Sequence, residues 1–328
     1  MISVGVIGVG RLGTLHAKFI AGIKDVRLAG VTDADPARAA AVAADLRTES
    51  LDSIDSLLER VDAVTIATPT SAHHDIGRRA LAAGKHVFIE KPITESVREA
   101  EELCAIAAAK KVTLQVGHIE RFNAAILALE SYKIRPMFVE SHRLAQFNPR
   151  GTDVAVVLDL MIHDIDLILS FVQSPVKQVD ASGVAVVSDS VDIANARLQF
   201  ENGCVANVTA SRISQKKMRK MRLFQPNGYI SIDFSQGIAE VFRLVGEGEQ
   251  DVEGTLMLGE LGSGKHRRKI VYEQPEVREV NALQYELEMF VRCIRNGERP
   301  VVNGEDGRRA LEVANTILQK IAEQRFVL

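Results

Sequence analysis

Three groups of side chains in this 328-residue sequence have the types and spacing to do chemistry. The first lies in Val154 to Leu169, a segment that is apolar on nearly every side of a helix. Within it Asp159, His163 and Asp166 stand at i, i+4 and i+7, one narrow helical face. An ionised group buried without a partner is costly, so this stripe must be paired or line a cavity. A structural polar network and a metal site both fit the residue types. No further ligands stand nearby at metal spacing, so no metal is expected. The favoured use is acid–base chemistry, with a carboxylate orienting an imidazole that accepts a hydroxyl proton.

The second group is Glu90-Lys91-Pro92, which leaves the end of an apolar strand. A lysine there could polarise a reacting oxygen or relay its proton, although a lysine in such a loop is also compatible with plain solvation. Pro92 restricts the backbone at that point, and a cis bond is compatible with it. The third group is the turn Gly8-Val9-Gly10-Arg11-Leu12-Gly13. It follows the strand Ile2 to Ile7 and opens a helix of roughly Leu12 to Ala21. Gly8 permits the tight turn, Gly10 leaves the backbone open to a pyrophosphate, and Gly13 lets helix and strand pack closely. Asp33 falls about 20 residues past the last glycine, where a carboxylate accepts adenosine ribose hydroxyls. The combination predicts a dinucleotide site. Asp33 repels a 2′-phosphate and favours NAD over NADP, with Arg38 softening the preference. Glu90 would then hold the nicotinamide ribose or steady Lys91.

The elements that must position these groups alternate strand and helix up to about residue 120. Strands are expected at Ile2 to Ile7, Val26 to Val31, Asp62 to Ala67, His86 to Ile89 and Val112 to Val116. Helices intervene, including one from Ala72 to Ala83 and one from Ser96 to Lys110, where Ser96 and Glu99 have capping-box spacing. This predicts a doubly wound parallel α/β sheet with its ligand at the strands' C-terminal ends. The pattern then changes: a helix at Asn123 to Ser131, a strand at Met137 to Leu144, a turn at Asn148-Pro149-Arg150-Gly151, and the helix Val154 to Val172. Several strands joined by short turns follow from Pro175 to Leu244, which predicts an antiparallel or mixed sheet. Glu247 to Lys269 is glycine-rich and charged and is expected to be mobile. Helices at Ala282 to Arg295 and Gly307 to Gln324 close the chain. The expected domains are residues 1–120 and 121–328, with the C-terminal helix packing back on the first.

Bulk composition narrows the function. With 46% apolar and 25% charged residues and a net charge of −3, nothing draws the chain to nucleic acid or an anionic membrane. No apolar run approaches the roughly 20 residues of a membrane span. The N-terminus enters a strand at once, so no secretory signal is expected. Cys104, Cys204 and Cys293 are scattered and odd in number, which suits buried thiols in a reducing cytoplasm.

Together, the glycine turn, Glu90-Lys91-Pro92 and Asp159-x-x-x-His163 resemble the glucose–fructose oxidoreductase/inositol dehydrogenase (Gfo/Idh/MocA) family over essentially the whole chain. The resemblance implies an N-terminal Rossmann domain and a C-terminal α+β domain built on a large open-faced sheet. It implies NAD(P)-dependent oxidation of a sugar or polyol, with Lys91, Asp159 and His163 as the catalytic set. Gly8, Gly10, Arg11, Leu12, Gly13, Asp33, Thr68, Pro69, His73, Glu90 and Lys91 would surround the cofactor. Members commonly form dimers or tetramers, often through the sheet. Gly117-His118-Ile119-Glu120-Arg121-Phe122-Asn123 and the run from Ser141-His142-Arg143 to Asp164 are similar to members that oxidise nucleotide-linked amino sugars, such as UDP-N-acetylglucosamine at C3. That makes His118, Arg121, Asn123 and Arg143 substrate candidates. The basic clusters Lys216 to Arg222 and Gly262 to Lys269 are candidates for a diphosphate, or solvated strand edge and loop. The rivals are another sugar or inositol dehydrogenase, an NAD-dependent glycosidase and a non-catalytic NAD or sugar sensor.

Overall fold

The computed structural model describes residues 1–148, 154–246, 256–261 and 268–324. The expected turn at 149–151 and the 262–267 part of the second basic cluster lie outside the described residues. The chain divides into two units, residues 1–122 with 281–312, and residues 123–280 with 313–328.

The first unit begins β1 (Ile2–Ile7), α1 (Arg11–Gly22), β2 (Val26–Thr32), α2 (Pro36–Leu46), α3 (Ile54–Leu58) and β3 (Ala63–Ile66). It continues through α4 (His73–Ala82), β4 (His86–Glu90), α5 (Val97–Lys110) and β5 (Leu114–Gly117). The strands are all parallel, in the order β2-β1-β3-β4-β5. Strand β3 and the Val87–Ile89 core of β4 are buried outright, as expected of strands covered on both faces. Local chemistry sets the helix starts. Asp35 accepts from the N–H groups of Ala37 and Arg38, Pro36 takes the first helical position, and Ser96 with Glu99 forms a capping box.

The second unit holds α6 (Ala124–Leu127), β6 (Phe138–Leu144), α7 (Ile162–Val172), β7 (Val176–Val184), β8 (Ile193–Phe200) and β9 (Val205–Ser211). There follow β10 (Met218–Gln225), β11 (Gly228–Asp233), β12 (Ile238–Gly246), β13 (Leu256–Leu261) and β14 (Arg268–Glu273). Helices α8 (Ala282–Asn296) and α9 (Gly304–Ala322) end the chain. Among the described residues the second sheet runs β13-β14-β12-β11-β10-β6-β9-β8-β7, with β6 and β9 parallel and the remaining pairs antiparallel. One face is apolar and carries α7 on β6 and β9. On the other face, register partners Phe138, Phe224, Tyr229, Phe242 and Tyr272 form a row of aromatic rings. Their successive centroids lie 6.0, 5.5, 4.4 and 5.1 Å apart.

Four features differ from the sequence-based expectations. The C-terminal helix was expected to pack back on the first domain. Residues 281–312, which include all of α8 and only the start of α9, group with the first unit, because Leu283, Leu287 and Phe290 of α8 bury against the β1 core with Val4, Val6 and Phe88. The helix expected over Asn123 to Ser131 stops at Leu127. Beyond it Leu129, Glu130 and Tyr132 each bond three residues back, which tightens the chain into turns. The segment expected to be mobile, Glu247 to Lys269, contains β13 and the first two residues of β14, and these two strands pair antiparallel. Finally, the helix expected from Val154 is not uniformly α-helical: Val157–Met161 forms a π-helical turn that runs into α7. No described helix is long and apolar enough to cross a membrane.

A buried ion pair seats α7 on its sheet. Arg143 of β6 donates from Nε and Nη2 to the two oxygens of Asp164, at 3.0 and 2.7 Å, with both side chains at most 3% exposed. The guanidinium also lies 5.6 Å from the Phe234 ring centroid. Removing one member leaves the other charged and dry, which costs about 3–5 kcal/mol. Arg143→Ala should therefore lower the urea-unfolding stability of the second unit by about that amount. The double change Arg143→Met with Asp164→Leu should recover most of it. A loss near zero for Arg143→Ala would show that the pair does not hold the helix.

Candidate active site

In the first unit every strand end carries a candidate: Gly8 after β1, Asp33 after β2, Thr68 after β3, Lys91 after β4 and His118 after β5. This is the edge at which open parallel sheets bind ligands. Gly8 is at φ +83°, and a Cβ on it would meet Thr68 Cγ2 at 2.7 Å. A Cβ on Gly13 would run into the Gly8 carbonyl oxygen, whereas Gly10 has nothing within 4 Å of where its Cβ would stand. Helix α1 starts at Gly10 with no side-chain cap and no acidic residue in its first turn, so its orphan N–H groups remain open to an anion. Arg11 and Leu12 are exposed on that first turn.

Asp33 does more than face a ribose. One carboxylate oxygen accepts from Val9 N–H at 2.6 Å and braces the glycine turn; the other accepts from Asp35 N–H and from Arg38 Nη1. Arg38 is half exposed and shared with Asp35. Thr68 Oγ1 is buried with no hydrogen-bond partner among the described residues. An open glycine cradle, an uncapped helix terminus, a braced carboxylate and an orphaned hydroxyl fit a dinucleotide.

Around Lys91 the packing is dense. The Lys91-Pro92 bond is cis, and Lys91 itself is half buried. The Glu90 carboxylate is tucked inward, with Oε2 3.3 Å from Lys91 N–H and Oε1 3.0 Å from His16 Nε2. His73 is buried, with Nδ1 2.8 Å from the Pro92 carbonyl and Nε2 3.0 Å from the Thr68 carbonyl. Burial lowers its pKa, opposed by these backbone contacts and by Glu90. Pro69 is exposed at the start of the turn that leads to α4. His118 is 1% exposed in the turn after β5, and Arg121 is half buried just beyond it.

In the second unit Asp159 sits within the π-helical turn and His163 in the first turn of α7; both are half buried, whereas Asp166 is buried. The π-helical turn falls between the start of the segment and α7, so Asp159 and His163 are not carried by one uniform α-helix. Such turns occur often at functional sites. Asn123 caps α6 through Ala125 N–H and donates to the Phe234 carbonyl. Arg143 is corrected: it is sealed against Asp164 and has almost no surface to offer a substrate. Of the first basic cluster, Lys220 and Arg222 pair with Asp233 and Glu140 on the sheet, as solvated strand residues do. No group of three potential metal ligands occurs among the described residues. Sequence reasoning does not single out His16 or Asp164. The available signals were an imidazole on the inner face of α1 and a carboxylate in an apolar helix facing a strand arginine.

The parallel sheet with this strand-end edge is that of a dinucleotide-binding domain. Residues 2–118 match the model of an oxidoreductase family with an NAD-binding Rossmann fold, and residues 132–237 match the GFO/IDH/MocA C-terminal domain. The chain is 39% identical over 325 residues to the UDP-N-acetylglucosamine 3-dehydrogenase of Acidithiobacillus ferrooxidans, covering 98% of this chain and 97% of that protein. A solved structure of that enzyme superposes with a TM-score of 0.87 at 37% identity, over 98% of this chain and 97% of the other. The inositol 2-dehydrogenase of Rhizobium meliloti is 26% identical, covering 98% of each chain. The chain belongs to the Gfo/Idh/MocA family of NAD-binding oxidoreductases.

The geometry of Asp33 sets a cofactor test. Asp33→Ala removes the charge that repels a 2′-phosphate, frees Arg38 and drops the Val9 brace. It should weaken NAD binding and raise the NADP-to-NAD ratio of binding constants by about tenfold or more, equivalent to about 1.4 kcal/mol. Titration of both cofactors by fluorescence checks this; an unchanged ratio would remove Asp33 from cofactor selection.

Proposed function

We propose that this chain is an NAD-dependent dehydrogenase that oxidises a hydroxyl of a nucleotide-linked amino sugar to a ketone, with C3 of UDP-N-acetylglucosamine as the first candidate. The observation that carries this is the near-full-length likeness to an enzyme of that name, at 39% identity. Lys91, Asp159 and His163 are the proposed catalytic set. NAD, when bound, supplies the hydride acceptor. His163 accepts the hydroxyl proton as the sugar carbon gives up its hydride. Lys91 stabilises the developing alkoxide, and Asp159 orients His163 or grips a neighbouring hydroxyl. His118, Arg121 and Asn123 are the proposed substrate contacts, and no metal takes part. The proposed setting is the reducing cytoplasm, supported by three free cysteines, of which burial pushes the Cys104 and Cys204 thiols up to about 11.

The test is to incubate the protein with NAD and a panel of UDP-sugars, free sugars and inositols, following NADH absorbance. Reduction with UDP-N-acetylglucosamine, and little with inositols, is expected. Glycoside cleavage with no net NADH would replace the dehydrogenase by a glycosidase. His163→Ala should leave NAD binding almost intact while turnover falls by about two orders of magnitude or more; near-normal turnover would exclude His163 from proton transfer.

A homodimer or homotetramer built through the open sheet face is part of the same proposal. The row from Phe138 to Tyr272 supports it, because a string of rings across five strands is costly to leave in water. Light scattering should give a multiple of the 35.9 kDa chain, and the double change Tyr229→Glu with Phe242→Glu should reduce it to a monomer. A wild-type mass of one chain would exclude that assembly.

A further inference from the structure

Two buried imidazoles flank Lys91 along the backbone, and the proposed mechanism uses neither. His16 stands on α1 and His73 on α4; they are 0% and 1% exposed. On the near side of Lys91, His16 Nε2 lies 3.0 Å from Glu90 Oε1, at hydrogen-bond length but without hydrogen-bond alignment. The other Glu90 oxygen is 3.3 Å from Lys91 N–H. The opposite wall of this slot is the backbone of Gly117, where a Cβ would meet Glu90 Oε2 at 2.8 Å. On the far side, His73 Nδ1 lies 2.8 Å from the Pro92 carbonyl and Nε2 3.0 Å from the Thr68 carbonyl, which sets the ring between the ends of β4 and β3.

Removing a carboxylate from water is costly unless donors or a cation stand against it. Glu90 is 9% exposed, and His16 Nε2 and the Lys91 N–H stand against its oxygens at 3.0 and 3.3 Å. The His16 ring is fixed in turn, packed edge-on against Phe88 at 5.3 Å, and Phe88 packs against Phe290 of α8 at 5.8 Å. A ring held in this way presents its nitrogen to one place. The residues before and after Lys91 are thus each anchored by an imidazole set in a rigid helix.

We propose that His16 and His73 are positioning residues that bracket Lys91, with His16 acting through Glu90 and His73 through the Pro92 carbonyl, so that the lysine amine is held for the reacting oxygen. This rests on Lys91 serving in the reaction proposed above. Neither imidazole touches the reacting atoms. Their loss should therefore lower kcat while the glycine turn and Asp33 still hold the cofactor.

The test compares His16→Phe, which keeps a ring of similar size, with His16→Gln, which restores a donor near the Nε2 position. His73→Leu and His73→Asn form the corresponding pair, the asparagine amide standing near Nδ1. Three quantities are read for each folded variant: the NADH dissociation constant, the fluorescence of bound NADH, and kcat against KM with the sugar that proves active. His16→Phe and His73→Leu should lower kcat by about tenfold or more, and in His16→Phe the NADH constant should change by less than about threefold. The fluorescence of the bound nicotinamide should also shift. The two amide variants should recover most of the kcat. Equal kcat for His16→Phe and wild type would overturn the proposal, and so would amide variants no better than the apolar ones. If the apolar variants do not fold, an amide variant that folds with wild-type melting temperature yet has the low kcat expected of the apolar change overturns it as well. A wild-type protein that does not bind NADH would instead remove the dehydrogenase function on which the bracket rests.

Discussion

Gly13 cannot carry a side chain, because a Cβ there would collide with the Gly8 carbonyl. The first unit's strand-end edge depends on that close approach. It brings the uncapped start of α1 against the end of β1 and lets Asp33 reach Val9 N–H at 2.6 Å. It also fixes which face of α1 turns inward. Gly13, His16, Ala17 and Ile20 are the buried residues of that helix, so the residue one turn past the last glycine lies behind Glu90. A helix displaced outward by one methyl group would loosen the His16 contact. The cofactor turn and the lysine loop therefore share one steric constraint, although they are about 80 residues apart in sequence.

The second unit solves a different problem, which is to hold a helix that carries polar residues inside an apolar segment. It does so with two buried ion pairs. Arg143 grips Asp164 in the middle of the helix. Ahead of the helix, Arg212 donates to the carbonyls of Val154 and Val191 and pairs with Asp192. Asp192 is fully buried. Burial alone would raise its carboxyl pKa, but the N–H groups of Val187, Val186 and Ser188 and the Ser188 hydroxyl hold it down at about 2. Val156 N–H bonds the Val191 carbonyl, so the chain is fixed just before the π-helical turn. Between these anchors the π-helical turn carries Asp159, and His163 and Asp166 follow on α7.

Much of this was legible in the sequence, because it was encoded by short-range signals. The β-α alternation with its glycine turn predicted the parallel sheet, and Ser96 with Glu99 predicted a capping box that is present. Lys91 was expected at a strand end and stands there. What escaped was encoded by contacts distant in sequence. Nothing near Arg143 announces that Asp164 will neutralise it 21 residues later, so a strand arginine looked available to a substrate. Nothing in Val154 to Leu169 signals a π-helical turn, since hydrophobic periodicity is read on an ideal helix. The return of α8 was hidden for the same reason: its apolar stripe shows that it packs, but not on which core.

The two imidazoles beside Lys91 differ in their hydrogen-bond accounts. His73 opposes two carbonyl oxygens, which only accept, so a neutral ring can satisfy one of them at a time. Burial lowers its pKa and favours that neutral form, so the ring can donate to Pro92 or to Thr68 but not to both. His16 has the opposite imbalance. Neither of its nitrogens makes an aligned hydrogen bond among the described residues, and Nε2 stands 3.0 Å from a carboxylate oxygen. A buried imidazole with unsatisfied nitrogens is less favourable than phenylalanine in the same apolar slot, by the cost of the unmade hydrogen bonds. Packing alone gives no reason for a histidine there. The Glu90 carboxylate, held 3.0 Å away beside the lysine's own N–H, does.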